Sequence, residues 1–200
     1  MRNKTKTMML IALLAAISSV LRLLELPIPF APPGTLHLDI SDLPVVLGGF
    51  ALGPWAAVAI AYVKNFIALF GTPTMGVGEL ANFIFAVALA VPASVWYRKC
   101  PDKKGAIRGL LLGATCMVVS ALLLNYFILL PFYATLLGIP MEVLIGAFAA
   151  VNPLVSSRLD VIIWTFLPFN LIKGVLTGVL SFTLYRRIEI GLRKFMGEQE

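Results

Sequence analysis

A chain of 200 residues that is 60% hydrophobic and 13% charged, with mean hydropathy +0.94, has more apolar surface than a water-soluble core of that size can enclose. That excludes a soluble globular domain and marks an integral membrane protein, one transmembrane domain over residues 1–200. The net charge of +6 then reflects topology and contact with anionic lipid, and nucleic-acid binding is not indicated. The apolar runs have helical length rather than the ten-residue alternation of an outer-membrane barrel, so the expected fold is all-α.

Six candidate spans follow in chain order: 8–24, 43–52, 55–70, 79–97, 107–130 and 165–185. The first has a basic start and an apolar middle like a signal peptide, but no small-x-small cleavage site followed by a soluble domain, and is expected to stay as a helix. Between it and the second span, Leu26 to Ile40 carries four prolines and no clear period, which predicts a long loop. Ser41-Asp42-Leu43-Pro44 reads as a helix start, with Ser41 capping, Asp42 at the positive end of the dipole and outside the bilayer, and Pro44 in the first turn. Gly53-Pro54 divides the second and third spans into a helical hairpin, because proline cannot continue the hydrogen-bond ladder. Both members of that hairpin are shorter than the roughly 20 residues of a full crossing. A glycine-rich loop, Gly71 to Gly78, precedes the fourth span. A second long loop, Pro131 to Trp164, includes Met141 to Val151, which is too short to span and is expected to lie at the interface or to re-enter.

Twelve of the sixteen lysines and arginines flank these spans at Arg2, Lys4 and Lys6, at Arg98, Lys99, Lys103, Lys104 and Arg108, and at Arg186, Arg187, Arg193 and Lys194. With six crossings all three groups fall on one side, and the positive-inside rule makes both termini cytoplasmic. Both long loops then face outward, where an extracellular solute arrives.

Polar residues inside apolar spans are the candidate functional groups, because an ionisable side chain in hydrocarbon costs about 2.5 to 3.5 kcal/mol. Asn170 and Lys173, three apart in the last span, share a helix face on which an amide and an ammonium can meet one ligand or one neighbouring helix. Glu79 and Asn82 open the fourth span behind Gly76 and Gly78, which permit close backbone approach; Glu79 equally suits a helix N-terminus with no ligand at all. For Lys64 and Asn65 a buried ion pair or an interhelical hydrogen bond is the favoured reading. Asn125 beside Tyr126 can be a ligand contact or interhelical glue. Ala12 and Ala16, and Gly174 and Gly178, are small-residue pairs on which another helix can approach closely.

Other chemistries lack their residues. Cys100 and Cys116 have no metal-binding spacing, and His37 is the single histidine, so neither a metal site nor a catalytic triad is indicated. No Walker A sequence and no carboxylate relay are present, so the chain does not itself couple transport to nucleotide hydrolysis. A membrane-embedded transferase using Asp39, Asp42 and Glu79 would need clustered carboxylates holding a metal, whereas these acids are spread over two loops.

Taken together, Leu36-His37-Leu38-Asp39-Ile40-Ser41-Asp42-Leu43-Pro44, Gly53-Pro54, Lys64-Asn65, Val77-Gly78-Glu79-Leu80-Ala81-Asn82-Phe83 and Asn170-Leu171-Ile172-Lys173 resemble, in that order, the riboflavin-binding S components of energy-coupling factor (ECF) vitamin transporters. The resemblance runs from Ala12 to Arg187 and implies a six-helix membrane fold that captures riboflavin outside the cell. It implies as partners a membrane T subunit and two cytoplasmic ATPases, with ATP bound on those partners only and no cofactor here. The family's small-residue contact to the T subunit maps onto Ala12 and Ala16. Its flavin contacts map onto Thr35, Leu36 and His37, Gly78, Asn125, Asn170 and Lys173, with Phe30, Phe132 and Tyr133 available to cover the ring faces. His37 stands where some relatives have lysine. An S component for another vitamin is the neighbouring alternative.

Overall fold

The computed structural model describes residues 2–72 and 74–196, and within that range the side chains of residues 2–3, 189 and 192–196, Arg2, Arg193 and Lys194 among them, lie outside the described residues. It is a helical bundle. Helix α1 (Arg2–Arg22) leads through a short antiparallel pair, β1 (Leu26–Pro27) and β2 (His37–Leu38), into α2 (Leu43–Leu52) and α3 (Pro54–Ala68). Helix α4 (Val77–Lys99) and α5 (Lys103–Leu124) form the next antiparallel pair. The chain then passes through α6 (Leu130–Leu137), α7 (Met141–Ala149) and α8 (Arg158–Val161) to α9 (Leu167–Met196). Five helical stretches are long and apolar enough to cross a bilayer, Lys4–Arg22, Pro54–Gly71, Val77–Lys99, Lys103–Leu137 and Arg158–Ile188, and α2 is a shorter sixth.

The expected loop from Leu26 to Ile40 contains the one strand pair among the described residues, Leu26 opposite Leu38 and Pro27 opposite His37. Pro27 tolerates this place because a two-stranded edge leaves its missing donor facing outward. A larger departure lies beyond the fifth span. Pro131 was expected to end the helix and Trp164 to close a long loop, but the helical path runs on to Leu137 and resumes at Arg158. The bridge is a π-turn at each place, Asn125–Leu129 and Ile162–Phe166, with Leu130 N–H donating to the Asn125 carbonyl and Leu167 N–H to the Ile162 carbonyl. Pro131 and Pro168 follow directly; widening the turn ahead of each absorbs the proline that would otherwise end the helix.

Helix α2 is buried from Leu43 to Phe50, which is why this short apolar run shows no polar face. Gly53 turns it into α3 with φ +103°, and a Cβ there would lie 2.6 Å from the Arg98 guanidinium. That positive-φ turn therefore needs glycine for its backbone, whereas the flexible arginine tip could swing aside. Helices α4 and α5 touch backbone to backbone: a Cβ on Gly109 would sit 2.7 Å from the Ala93 carbonyl oxygen, and one on Gly113 2.1 Å from that of Leu89. In a bilayer, where lipid is as apolar as leucine, such close packing supplies the cohesion that water expulsion cannot.

One end of the bundle is closed by aromatics. Phe50 stacks on Tyr97 at 4.4 Å, and Tyr185 meets Tyr97 edge-on at 5.7 Å. These residues adjoin the basic flanks at Arg98 and Arg186, so this end is cytoplasmic by the positive-inside rule. A second apolar cluster, with Leu130, Phe148, Val161 and Phe166 at its centre, sits at the opposite, outer end.

Candidate functional site

At that outer end the helices part around a cavity of about 670 Å³. Thr35, Leu36, His37, Gly78, Asn125, Asn170 and Lys173 all line it, and so do Glu79 and Asn82. Residues separated by up to 138 positions in sequence thus converge on one chamber, brought there by the β1–β2 loop, the start of α4, the π-turn after α5 and the first turns of α9.

The two asparagines are held alike. Asn125 Nδ2 donates to the Ala121 carbonyl at 2.7 Å and Asn170 Nδ2 to the Phe166 carbonyl at 2.8 Å, each back-bonded to its own helix. One amide N–H is used in each case, leaving the oxygen and the second N–H for another partner. Both asparagines adjoin a π-turn: Asn125 opens the first, and Asn170 lies one turn beyond Phe166, which ends the second.

Lys173 is not a lone charge. Its Nζ lies 3.3 Å from Asp39 Oδ2 and 3.2 Å from Asp42 Oδ2, while Lys64 Nζ lies 2.5 Å from Asp42 Oδ1 and donates to Ser41 Oγ at 3.1 Å. Two carboxylates and two ammonium groups, all largely buried, sum to zero charge. Burial works against the Asp39 carboxylate, but the Lys173 ammonium and the other partners outweigh it and hold the group below the usual carboxylate range. The sequence-based role of Asp42 is corrected here: it occupies the N-cap position of α2 without a capping bond and is 1% exposed, an ion-pair partner inside the protein rather than a surface residue serving the dipole. Ser41 does not cap either; its hydroxyl accepts from Lys64, and the Ser18 hydroxyl donates to its carbonyl, tying α1 to the entry of α2. For Lys64 the buried ion pair is what the structure contains.

Across the cavity stands a second polar wall. Glu79 Oε1 accepts from Arg22 at 3.0 Å, and its Oε2 accepts from Thr72 at 2.7 Å and Thr74 at 2.8 Å. Arg22 also donates to Asn65 Oδ1 at 2.9 Å, while Asn65 Nδ2 back-bonds to Ala61. Glu79 is thus a cavity residue held by a cation and two hydroxyls, which goes beyond favouring a helix start. Arg22 went unremarked in the sequence, although a signal was present: the four cations outside the basic flanks are Arg22, Lys64, Arg158 and Lys173, and three of them line the cavity. The fourth, Arg158, lies 4.2 Å over the Tyr126 ring.

The aromatic lining also differs from expectation. Tyr133 is present, but Phe30 and Phe132 are not among the lining residues; Phe85, Phe148, Phe166 and Phe169 are. Gly78 lines the cavity beside Tyr133, whose hydroxyl would lie 3.2 Å from a Cβ there, whereas Gly76 serves as the left-handed N-cap of α4. Outside the site, Ala12 and Ala16 sit on an exposed face of α1 among Leu13, Ile17 and Val20. Gly174 instead packs inward, with Ala114 and Met117 of α5 next to it. Among the described residues no three histidine, cysteine or acidic side chains group as metal ligands, and the carboxylates a transferase would need are neutralised by lysine or arginine.

A polytopic membrane bundle with a polar, aromatic-walled chamber opening opposite its basic end is a solute-binding membrane protein. The chain belongs to the ECF transporter substrate-specific component family, whose model matches residues 6–185. It is 33% identical over 193 residues to the riboflavin transporter RibU of Staphylococcus aureus, covering 96% of this chain and 95% of that one. It is 30% identical over 192 residues to the riboflavin transporter FmnP of Bacillus subtilis, covering 93% of each. A solved S component of a bacterial ECF transporter matches the fold with TM-score 0.74 at 33% identity, over 95% of this chain and 99% of that one. The chain is accordingly a multi-pass cell-membrane protein and a transporter component, not an enzyme.

Proposed function

We propose that this chain captures riboflavin from outside the cell in the outer cavity and delivers it through a membrane T subunit driven by two cytoplasmic ATPases, with ATP bound on those partners and no cofactor of its own. The observation that carries the reading is the convergence of Asn125, Asn170 and Lys173 on one chamber walled by Phe85, Tyr133, Phe148, Phe166 and Phe169. An isoalloxazine presents carbonyl acceptors and an N–H donor at one edge and two apolar faces. Amides that both donate and accept match the edge, an ammonium matches a carbonyl, and aromatic walls match the faces. Thr35, Leu36 and His37 on the outer loop, with Gly78, Glu79 and Asn82 on the opposite wall, remain for the hydroxylated side chain. That the similar proteins of Staphylococcus aureus and Bacillus subtilis are riboflavin transporters supports the same ligand here.

The exposed Ala12/Ala16 face supports T-subunit contact, because small side chains between bulky ones let a second helix approach closely in lipid. The ligand assignment is tested by purifying the protein in detergent, recording its visible spectrum and titrating riboflavin by fluorescence quenching, with thiamine and biotin as controls. A yellow preparation or saturable quenching is expected. A colourless protein that leaves riboflavin fluorescence unchanged would overturn it.

A further inference from the structure

We propose that Asp39 is a positioning residue for ligand capture: it holds the Lys173 ammonium so that one N–H is aimed at the ligand, a role that rests on the riboflavin reading above. Lys173 is at the end of a flexible four-carbon stem whose ammonium has three donors. Asp39 Oδ2 at 3.3 Å and Asp42 Oδ2 at 3.2 Å engage it from two sides, and Lys173 itself lines the cavity. Two donors are taken by these carboxylates, which leaves the third for the chamber.

The two carboxylates are not equivalent. Asp42 already has Lys64 at 2.5 Å on its other oxygen and is 1% exposed, so its place is fixed without Lys173. Asp39 accepts the Ser41 backbone N–H at 2.7 Å on Oδ1, and the one cation within ion-pair distance of it among the described residues is Lys173. Asp39 also lines the cavity, whereas Asp42 does not. Removing Asp39 would leave the quartet with an excess positive charge and release Lys173 on the cavity side alone. Asp42–Lys64 is therefore the structural half of the quartet, and Asp39–Lys173 the half that faces the ligand.

The test is a double-mutant cycle on riboflavin affinity, using the full-length protein in detergent and the variants Asp39→Asn, Lys173→Met and both together. Asp39→Asn is expected to weaken binding about tenfold, the worth of one hydrogen bond to a charged group. In the Lys173→Met background the same change should cost less than twofold, because the ammonium it positions is gone. Should Asp39→Asn not fold by size-exclusion chromatography, Asp39→Glu takes its place: it keeps the charge, moves the carboxylate by one methylene, and should lose affinity only while Lys173 is present. Losses that multiply in the double variant, or an Asp39→Asn protein that binds like the parent, overturn the positioning role while leaving riboflavin capture intact. A parent protein that binds no riboflavin overturns both.

Discussion

Replacing Asn170 with alanine separates the ligand contact from the fold. In the folded protein Asn170 is 3% exposed and commits one N–H to the Phe166 carbonyl at 2.8 Å, so a second N–H and the amide oxygen are available to the cavity. Truncation removes one or two bonds to the flavin edge and leaves the ligand's own polar atom unpaired in a chamber walled by aromatics. Each such loss is worth about 1 to 3 kcal/mol, or about 5- to 150-fold in Kd. The cost to the fold is smaller, because the Phe166 carbonyl sits in a π-turn at the cavity wall, where entering water can replace the amide. Quenching titrations of riboflavin against purified parent, Asn170→Ala and Asn125→Ala proteins measure the first effect, and far-UV circular dichroism with size-exclusion chromatography checks the second. Asn170→Asp, which keeps an acceptor and loses both donors, tells which polarity the ligand uses. If both alanine variants bind within twofold of the parent, the amides serve only their own helices and the edge-recognition argument fails.

Arg22→Met breaks a pair whose Glu79 partner is 5% exposed and should lower stability by about 3 kcal/mol, read as a reduced thermal midpoint in detergent, with Glu79→Gln in the same chain recovering part of it. Gly113→Ala places a Cβ 2.1 Å from the Leu89 carbonyl oxygen and must part α4 from α5; a loss of about 1 to 3 kcal/mol is expected, and an unchanged midpoint would show that the helices are not in that contact. Ala16→Trp on the exposed face of α1 should leave riboflavin affinity intact and abolish co-purification with the T subunit and uptake, whereas normal assembly would make that face an ordinary lipid contact.

The helices were legible in the sequence because composition and length suffice for them: the span read at 79–97 is α4 at Val77–Lys99, and the division at Gly53-Pro54 is the turn between α2 and α3. The bounds of the loop from Pro131 to Trp164 were less legible, since the helical path runs on to Leu137 and resumes at Arg158. Pro131 and Pro168 each follow a widened turn, and nothing local in the sequence distinguishes a helix that ends from one that expands by a residue. Polar cavity residues stood out because asparagine and lysine are costly in lipid. Phe85, Phe148, Phe166 and Phe169 did not, since a phenylalanine facing a ligand looks in sequence like one facing an acyl chain. Asp42 was misplaced for a related reason: a carboxylate at a helix start has an ordinary local explanation, and only the fold shows two lysines closing on it.

The brevity of α2 sets how deep the chamber reaches. Ten residues rise about 15 Å, so Asp42, just ahead of the helix, lies about half a hydrocarbon thickness above the Gly53 turn at the cytoplasmic end. Lys64, ten positions along α3 from Pro54, comes to the same level from the other side of that turn, as its pairing with Asp42 requires. On the proposed function, a solute seated against Lys173 would rest about one α2 length above that turn. Below that level the rings of Phe50, Tyr97 and Tyr185 pack on one another, so the outer chamber ends above a closed cytoplasmic half.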